Sequence, residues 1–151
     1  MFITTSVMKE LRTYLNFTQV RFHCKKKAVG RTFHIATANN SKGEAAVQFF
    51  SNQRDDMPDS CGSYLRMNDD NSFLSRVCDK WGVENDKAYV GKWGHGRVQI
   101  HQLGLPENRL IDHAAFEAGG YHWLLFLLGR WNCDDYNNGV SSGDFWKVFV
   151  R

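Results

Sequence analysis

Four cysteines, Cys24, Cys61, Cys78 and Cys133, are spread over a chain of 151 residues, and no other feature limits its folding as much. An even set scattered in this way admits three pairings. None of them forms a C-x-x-C motif, which argues against a zinc ribbon or a thioredoxin-like redox site. Cys61 and Cys78 bracket GSYLRMNDDNSFLSRV, a polar stretch without strand alternation. A bridge there would restrain a long loop and contribute about 3 kcal/mol in the chain-entropy model. Cys24 lies in the strand-like QVRFHCKKK and can then meet Cys133 near the last strand. The expectation is Cys61–Cys78 with Cys24–Cys133. The alternative is four reduced thiols, two of them simply buried in a core.

Around these cysteines, short alternating runs recur between turn signals. Val20, Phe22 and Cys24 share one face of the first run, and Phe33 and Ile35 share one face of the second. Ala28-Val29-Gly30 between them reads as a hairpin loop. Asn39 to Gly43 then turns the chain into a third strand over residues 45–50, completing an antiparallel meander. Residues 51–86 are the least regular, with a helical turn or two near 71–78. Further strands are expected over 88–90, 97–101, 111–116, 121–128 and 144–150. With 11 Phe, 5 Trp and 5 Tyr against 13 Gly and 2 Pro, the composition favours strands over a helical bundle. The fold class is therefore all-β: one domain over 1–151, an antiparallel β-sandwich or jelly roll of about eight short strands, with long polar loops and little helix. Val7, Met8, Leu11 and Leu15 have near-helical spacing, which leaves the first fifteen residues open between helix and strand.

Charge and hydropathy narrow the partners. The net charge is +3 and Lys25-Lys26-Lys27 is the one basic run, far short of the basic face of a nucleic-acid binder. No apolar stretch approaches the roughly 20 residues that cross a bilayer, so membrane insertion is not expected. The first residues, MFITTSVMKELRTYLNFTQ, lack the basic start and apolar core of a signal peptide. The chain is then either cytoplasmic or a piece of a longer secreted precursor. Two glycosylation sequons, at Asn16 and Asn39, join the cysteines in favouring the secreted, extracellular reading.

Candidate chemistry is thinner. In Cys133-Asp134-Asp135-Tyr136-Asn137-Asn138-Gly139 a calcium loop beginning at Asp134 would place Tyr136 at its third position and Phe145 at its twelfth, where a bidentate Glu is required. It is not an EF-hand. A looser calcium site can still be drawn from Asp134, Asp135, Asn137 and Asp144, or from Asn68, Asp69, Asp70 and Asn71. The competing expectation is a disulfide-anchored turn, because Asp and Asn side chains hydrogen-bond nearby backbone. No two of the six histidines are spaced H-x-x-x-H, and His23 and His34 are expected on outer strand faces. No nucleophile elbow, P-loop or dinucleotide fingerprint is present. An enzyme is therefore the second reading, a hydrolase using Asp134, Asp135 or Asp144 with His95 or His122. The first comes from the aromatics: Trp81, Trp93, Trp131 and Tyr136 lie in glycine-rich, polar surroundings. Rings beside Asp and Asn are what sugar recognition needs, the ring against pyranose C–H groups and the polar groups on its hydroxyls. The sequence thus suggests an extracellular recognition, adhesion or matrix module, lectin-like, with a glycan or an extracellular protein as partner. The opposing reading buries those tryptophans in the core.

Overall fold

The computed structural model describes residues 3–94, 109–110, 114–125, 129–137 and 139–151. Nine strands and two α-helices are found among them. Helix α1 is Thr5–Leu15 and α2 is Ser41–Phe50. The strands are β1 Val20–Lys26, β2 Arg31–Thr37, β3 Tyr64–Arg66, β4 Val83–Glu84, β5 Lys87–Ala88, β6 Ala114–Ala118, β7 Tyr121–Leu125, β8 Trp131–Asp135 and β9 Phe145–Val150. A four-stranded sheet runs β3-β2-β1-β9, a three-stranded sheet runs β6-β7-β8, and β4 pairs with β5. The described strand pairings are antiparallel. The fold is rich in antiparallel strands, as expected, but with more helix.

The β1–β2 hairpin forms where alternation placed it, turning through Lys27 to Gly30. The third strand does not. Residues 45–50 lie inside α2 because Asn40, expected in a turn, is an N-cap whose side chain accepts a hydrogen bond from the Gly43 amide at 2.9 Å. Ala46, Val47, Phe49 and Phe50 are then buried together on one helical stripe. Gly43 is required there, since a Cβ would lie 1.8 Å from the Ala38 carbonyl oxygen. The strand that does join β2 is the short β3, with Ile35 opposite Arg66 and Thr37 opposite Tyr64. The first fifteen residues resolve as helix: Thr4 caps α1, and Asn16 ends it in a left-handed conformation. The irregular stretch supplies two 3₁₀ turns, Leu74–Arg76 and Cys78–Lys80. The expected strand at 97–101 lies outside the described residues, as do 111–113 and 126–128.

The core forms where aromatic rings from the two larger sheets meet. Phe22 of β1 lies 4.7 Å, centroid to centroid, from Phe116 of β6 and 5.7 Å from Trp123 of β7, both edge-on. Phe33 of β2 joins the same two rings at 5.5 and 5.8 Å. Trp81, Trp93 and Phe50 close the cluster. Edge-to-face pairs of this kind add about 0.5–1.5 kcal/mol each beyond the area they bury.

Two covalent ties fix this arrangement, with the expected pairing. Cys24 of β1 is bonded to Cys133 of β8, and Cys61 to Cys78. The first spans 109 residues of sequence and the second 17. In the chain-entropy model the corresponding contributions are about 4.7 and about 3 kcal/mol. Replacing Cys24 and Cys133 together by alanine is therefore expected to lower the urea-unfolding free energy by about 1.5 kcal/mol more than replacing Cys61 and Cys78 together. Equal losses would show that the long loop is already restrained in the unfolded chain.

Candidate functional site

The residues that sequence reasoning assigned to ligand binding separate sharply. Trp81 and Trp93 are fully buried. Trp81 donates its indole N–H to the Leu74 carbonyl at 2.8 Å, and Trp93 donates to Ser63 Oγ at 2.7 Å. They are core residues and offer no face to a ligand. The physical reason is that each indole finds both a large apolar contact and a partner for its one polar atom. Trp131 is half-buried edge-on against Trp146. Tyr136 is 61% exposed, with the Arg130 guanidinium 4.0 Å over its ring.

Three of the four proposed calcium ligands, Asp134, Asp135 and Asp144, have their carboxylates engaged elsewhere, and Asn137 is held through its backbone. Asp134 and Asp135 end strand β8 and do not form the turn expected of them. His122 pairs with Asp135 and Trp123 with Cys133, so Asp134 is the extra residue of a β-bulge, at φ 56°. The bulge sends the two carboxylates to different partners. Asp134 accepts the amides of Phe73 and Leu74, both at 2.8 Å, and so caps the first 3₁₀ turn. Asp135 accepts from the Lys26 ammonium at 2.6 Å and from the Cys133 amide at 2.8 Å. Lys26 is itself buried and also donates to the carbonyls of Trp131 and Asn137. Asp144 accepts the amides of Lys27 and Ser141, both at 2.7 Å, as a turn residue. Nor, among the described residues, does His122 join these aspartates as an acid–base pair. The Nε2 of His122 lies 3.5 Å from Glu117, Asp135 is committed to Lys26, and His95 lies outside the described residues.

A cleft that sequence reasoning missed brings rings and polar groups together. It has a volume of about 510 Å³ and is lined by Phe73, Asp79, Lys80, Tyr89, Tyr121 and the Gly119–Gly120 turn. Phe73 and Tyr121 are in ring contact at 4.3 Å. Tyr89 stands 57% exposed at the end of the β4–β5 hairpin. That hairpin turns through Asn85 and Asp86, both at positive φ, the conformation of a two-residue type I′ loop. Tyr89 is also left-handed, at φ 63°, with its amide held by the Gly82 carbonyl at 3.0 Å. Strain of this kind in a non-glycine residue persists only where neighbouring structure imposes it. Its hydroxyl lies over Gly119, where a Cβ would come within 3.0 Å of it. Asp79 and Lys80 are both exposed on the second 3₁₀ turn, fixed by the Cys61–Cys78 bridge and by Ser60, whose hydroxyl donates to the Cys78 carbonyl at 2.6 Å. The hairpin was legible in Asn85-Asp86; its approach to residues 119–121 was not.

The sequons are both open: Asn16 and Asn39 are exposed. Among the described residues, the group able to hold a metal ion is neither of the acidic stretches alone but His23, His34 and Asp69, on the face of the four-stranded sheet. Compared with protein-family models, curated proteins and solved structures, the chain finds no match.

Two outcomes test the structural roles of the paired aspartates. Asp135→Asn is expected to destabilise the protein by about 3–5 kcal/mol, because it strands a buried ammonium, while calcium leaves the urea midpoint of the native protein unmoved. A calcium-dependent midpoint that disappears in the variant would return Asp135 to a cation site. Burial holds the Asp134 carboxyl above its ordinary value, against the pull of the Leu74 and Phe73 amides. The folded state therefore keeps the Asp134 proton to higher pH than the unfolded chain does. The stability gained this way is complete below the ordinary aspartate value of about 3.9 and is lost as pH rises through the folded-state value. Relative to Asp134→Asn, native stability should fall over that window, as read from unfolding curves taken in steps of pH.

Proposed function

We propose that this is an extracellular recognition module of the adhesion or matrix kind, its two larger sheets forming the layers of a β-sandwich-like domain, and that it binds glycans through the cleft at Tyr89. Two disulfides and two open sequons support the extracellular setting. Among the described residues no helix is long and apolar enough to cross a membrane.

The observation that carries the glycan reading is the cleft's pairing of an exposed ring with a carboxylate and an ammonium. Tyr89 offers a face to pyranose C–H groups, Asp79 accepts from hydroxyls and Lys80 donates to them. The Gly119–Gly120 turn adds backbone groups beside the Tyr89 hydroxyl. A cleft built in this way selects by ring stacking first and by hydroxyl geometry second.

A protein partner is the second reading. It is favoured by the open face of the four-stranded sheet, where Leu65 and Phe149 are exposed beside a groove of about 490 Å³. The Arg21 guanidinium lies 4.2 Å over the Phe149 ring there. Exposed aromatic and Arg residues are the usual anchors of protein interfaces.

A glycan array separates the two. Binding of a defined glycan that falls about tenfold in Tyr89→Ala, equivalent to roughly 1.4 kcal/mol, and falls also in Asp79→Asn with melting unchanged, is the expected result. An array without signal would end the glycan reading. Capture of an extracellular protein that is lost in Leu65→Asp but kept in Tyr89→Ala would assign recognition to the sheet face.

A further inference from the structure

The strand register sets two histidines side by side. His23 of β1 is directly opposite His34 of β2, and their rings stack at 3.7 Å with planes only 4° apart. Asp69 closes the group from the loop after β3: one oxygen lies 2.5 Å from His34 Nδ1, the other 3.5 Å from His23 Nε2. One donor atom from each of the three residues can be chosen so that all lie within 4.8 Å of one another.

The loop that carries Asp69 is fastened on both sides of it. Asp70 accepts the His34 amide at 2.7 Å, and the Ser72 amide, the hydroxyls of Ser72 and Ser75 and the Arg66 guanidinium also hold that carboxylate. Asn71 accepts the Thr32 amide at 2.7 Å and donates its own amide to the Thr32 carbonyl at 3.0 Å. Met67 donates to the His34 carbonyl at 2.9 Å. The carboxylate of Asp69 is thus delivered to the histidine pair by backbone pairing, yet is itself left mostly open to solvent.

The geometry points to a binding site for a borderline divalent transition ion of the zinc type, with His23, His34 and Asp69 as ligands. Two imidazoles and one carboxylate suit Zn²⁺ or Co²⁺ and do not suit calcium, which prefers oxygen. Zinc bonds of about 2.1 Å in a tetrahedron put ligand atoms about 3.4 Å apart, close to the 3.5 Å between His23 Nε2 and Asp69. The closer contact to His34 must open by about 1 Å, which Asp69 can do because it is exposed. In stacked rings the lone pairs run parallel, so one ring must also turn; His23, with its side chain 19% exposed against 11% for His34, is the less buried of the two. Lys147 lies opposite His23 and Arg21 is on the same strand face, and both weaken the site electrostatically. Three protein ligands leave a fourth position to water, or to an imidazole or carboxylate from a partner.

The test uses the full untagged chain stripped with chelator and titrated with Co²⁺, then with Zn²⁺. One equivalent of Co²⁺ should produce visible d–d absorption that Zn²⁺ abolishes, and Zn²⁺ should raise the melting temperature. Affinity should fall by more than about tenfold in His23→Gln and in the exposed Asp69→Asn, since even an outer partner of a ligand is worth that much. His122→Gln should bind as the native chain does. Absence of both the absorption and the melting shift, or their survival in Asp69→Asn and His23→Gln, overturns the site.

Discussion

Lys26 and Asp135 form an ion pair in the interior, two residues along from the Cys24–Cys133 bond on the same two strands. The disulfide brings β1 and β8 together, and the ion pair settles how they lie, because an ammonium with three acceptors around it tolerates little displacement. Everything else hangs from that junction. β1 is the inner strand between β2 and β9, so it carries the four-stranded sheet. β8 is an edge of the three-stranded sheet, and its bulge at Asp134 reaches across to cap the turn that begins the 3₁₀ segment. One strand end therefore locates both sheets and the loop that carries Asp79.

The aromatic cluster follows from the same geometry. With β1 and β8 locked, Phe22 and Phe33 face Phe116 and Trp123, and the space left around them is large enough to take Trp81 and Trp93 whole. The tryptophans are thus spent on packing, and recognition falls to smaller and more peripheral rings. Tyr64 shows the boundary between the two regimes. It stacks on Trp81 at 4.8 Å, its hydroxyl donates to the Ser75 carbonyl, and burial pushes that hydroxyl far above its ordinary value. It belongs to the core.

What the sequence disclosed tracks what local interactions decide. The β1–β2 hairpin, β7, β9 and the Cys61–Cys78 pair were readable because alternation, turn residues and spacing are local or nearly so; Cys24–Cys133, 109 residues apart, followed only once the other two cysteines were paired. Residues 45–50 were misread because an apolar run of six fits a strand or a buried helix equally well, and the N-cap at Asn40 was taken for a turn. Asp134 and Asp135 looked like a turn because Asp favours turns; only the pairing of β8 with β7 shows them as a strand end with a bulge. Tyr89 and Asp79 share a cleft with the Gly119–Gly120 turn, some thirty residues beyond Tyr89, and no spacing rule reaches that contact. His23 and His34 are the exception: alternation set both on outer positions, and one correct hairpin register was all that separated that reading from their pairing.

The position of β1 in its sheet has a consequence for how the chain is made. Its pairing with β2 is available at once, but its other edge waits for β9, some 120 residues later. At about 5–20 residues per second, synthesis leaves that edge and the Cys24 thiol without partners for roughly 6–24 s. During that interval a half-sheet with an open edge and a basic run at its end must be kept from pairing with other chains. Lys25, Lys26 and Lys27 stand where a gatekeeping charge would be wanted. One of them, Lys26, later enters the interior, where its ammonium pairs with Asp135 of β8 while β9 covers the strand's second edge.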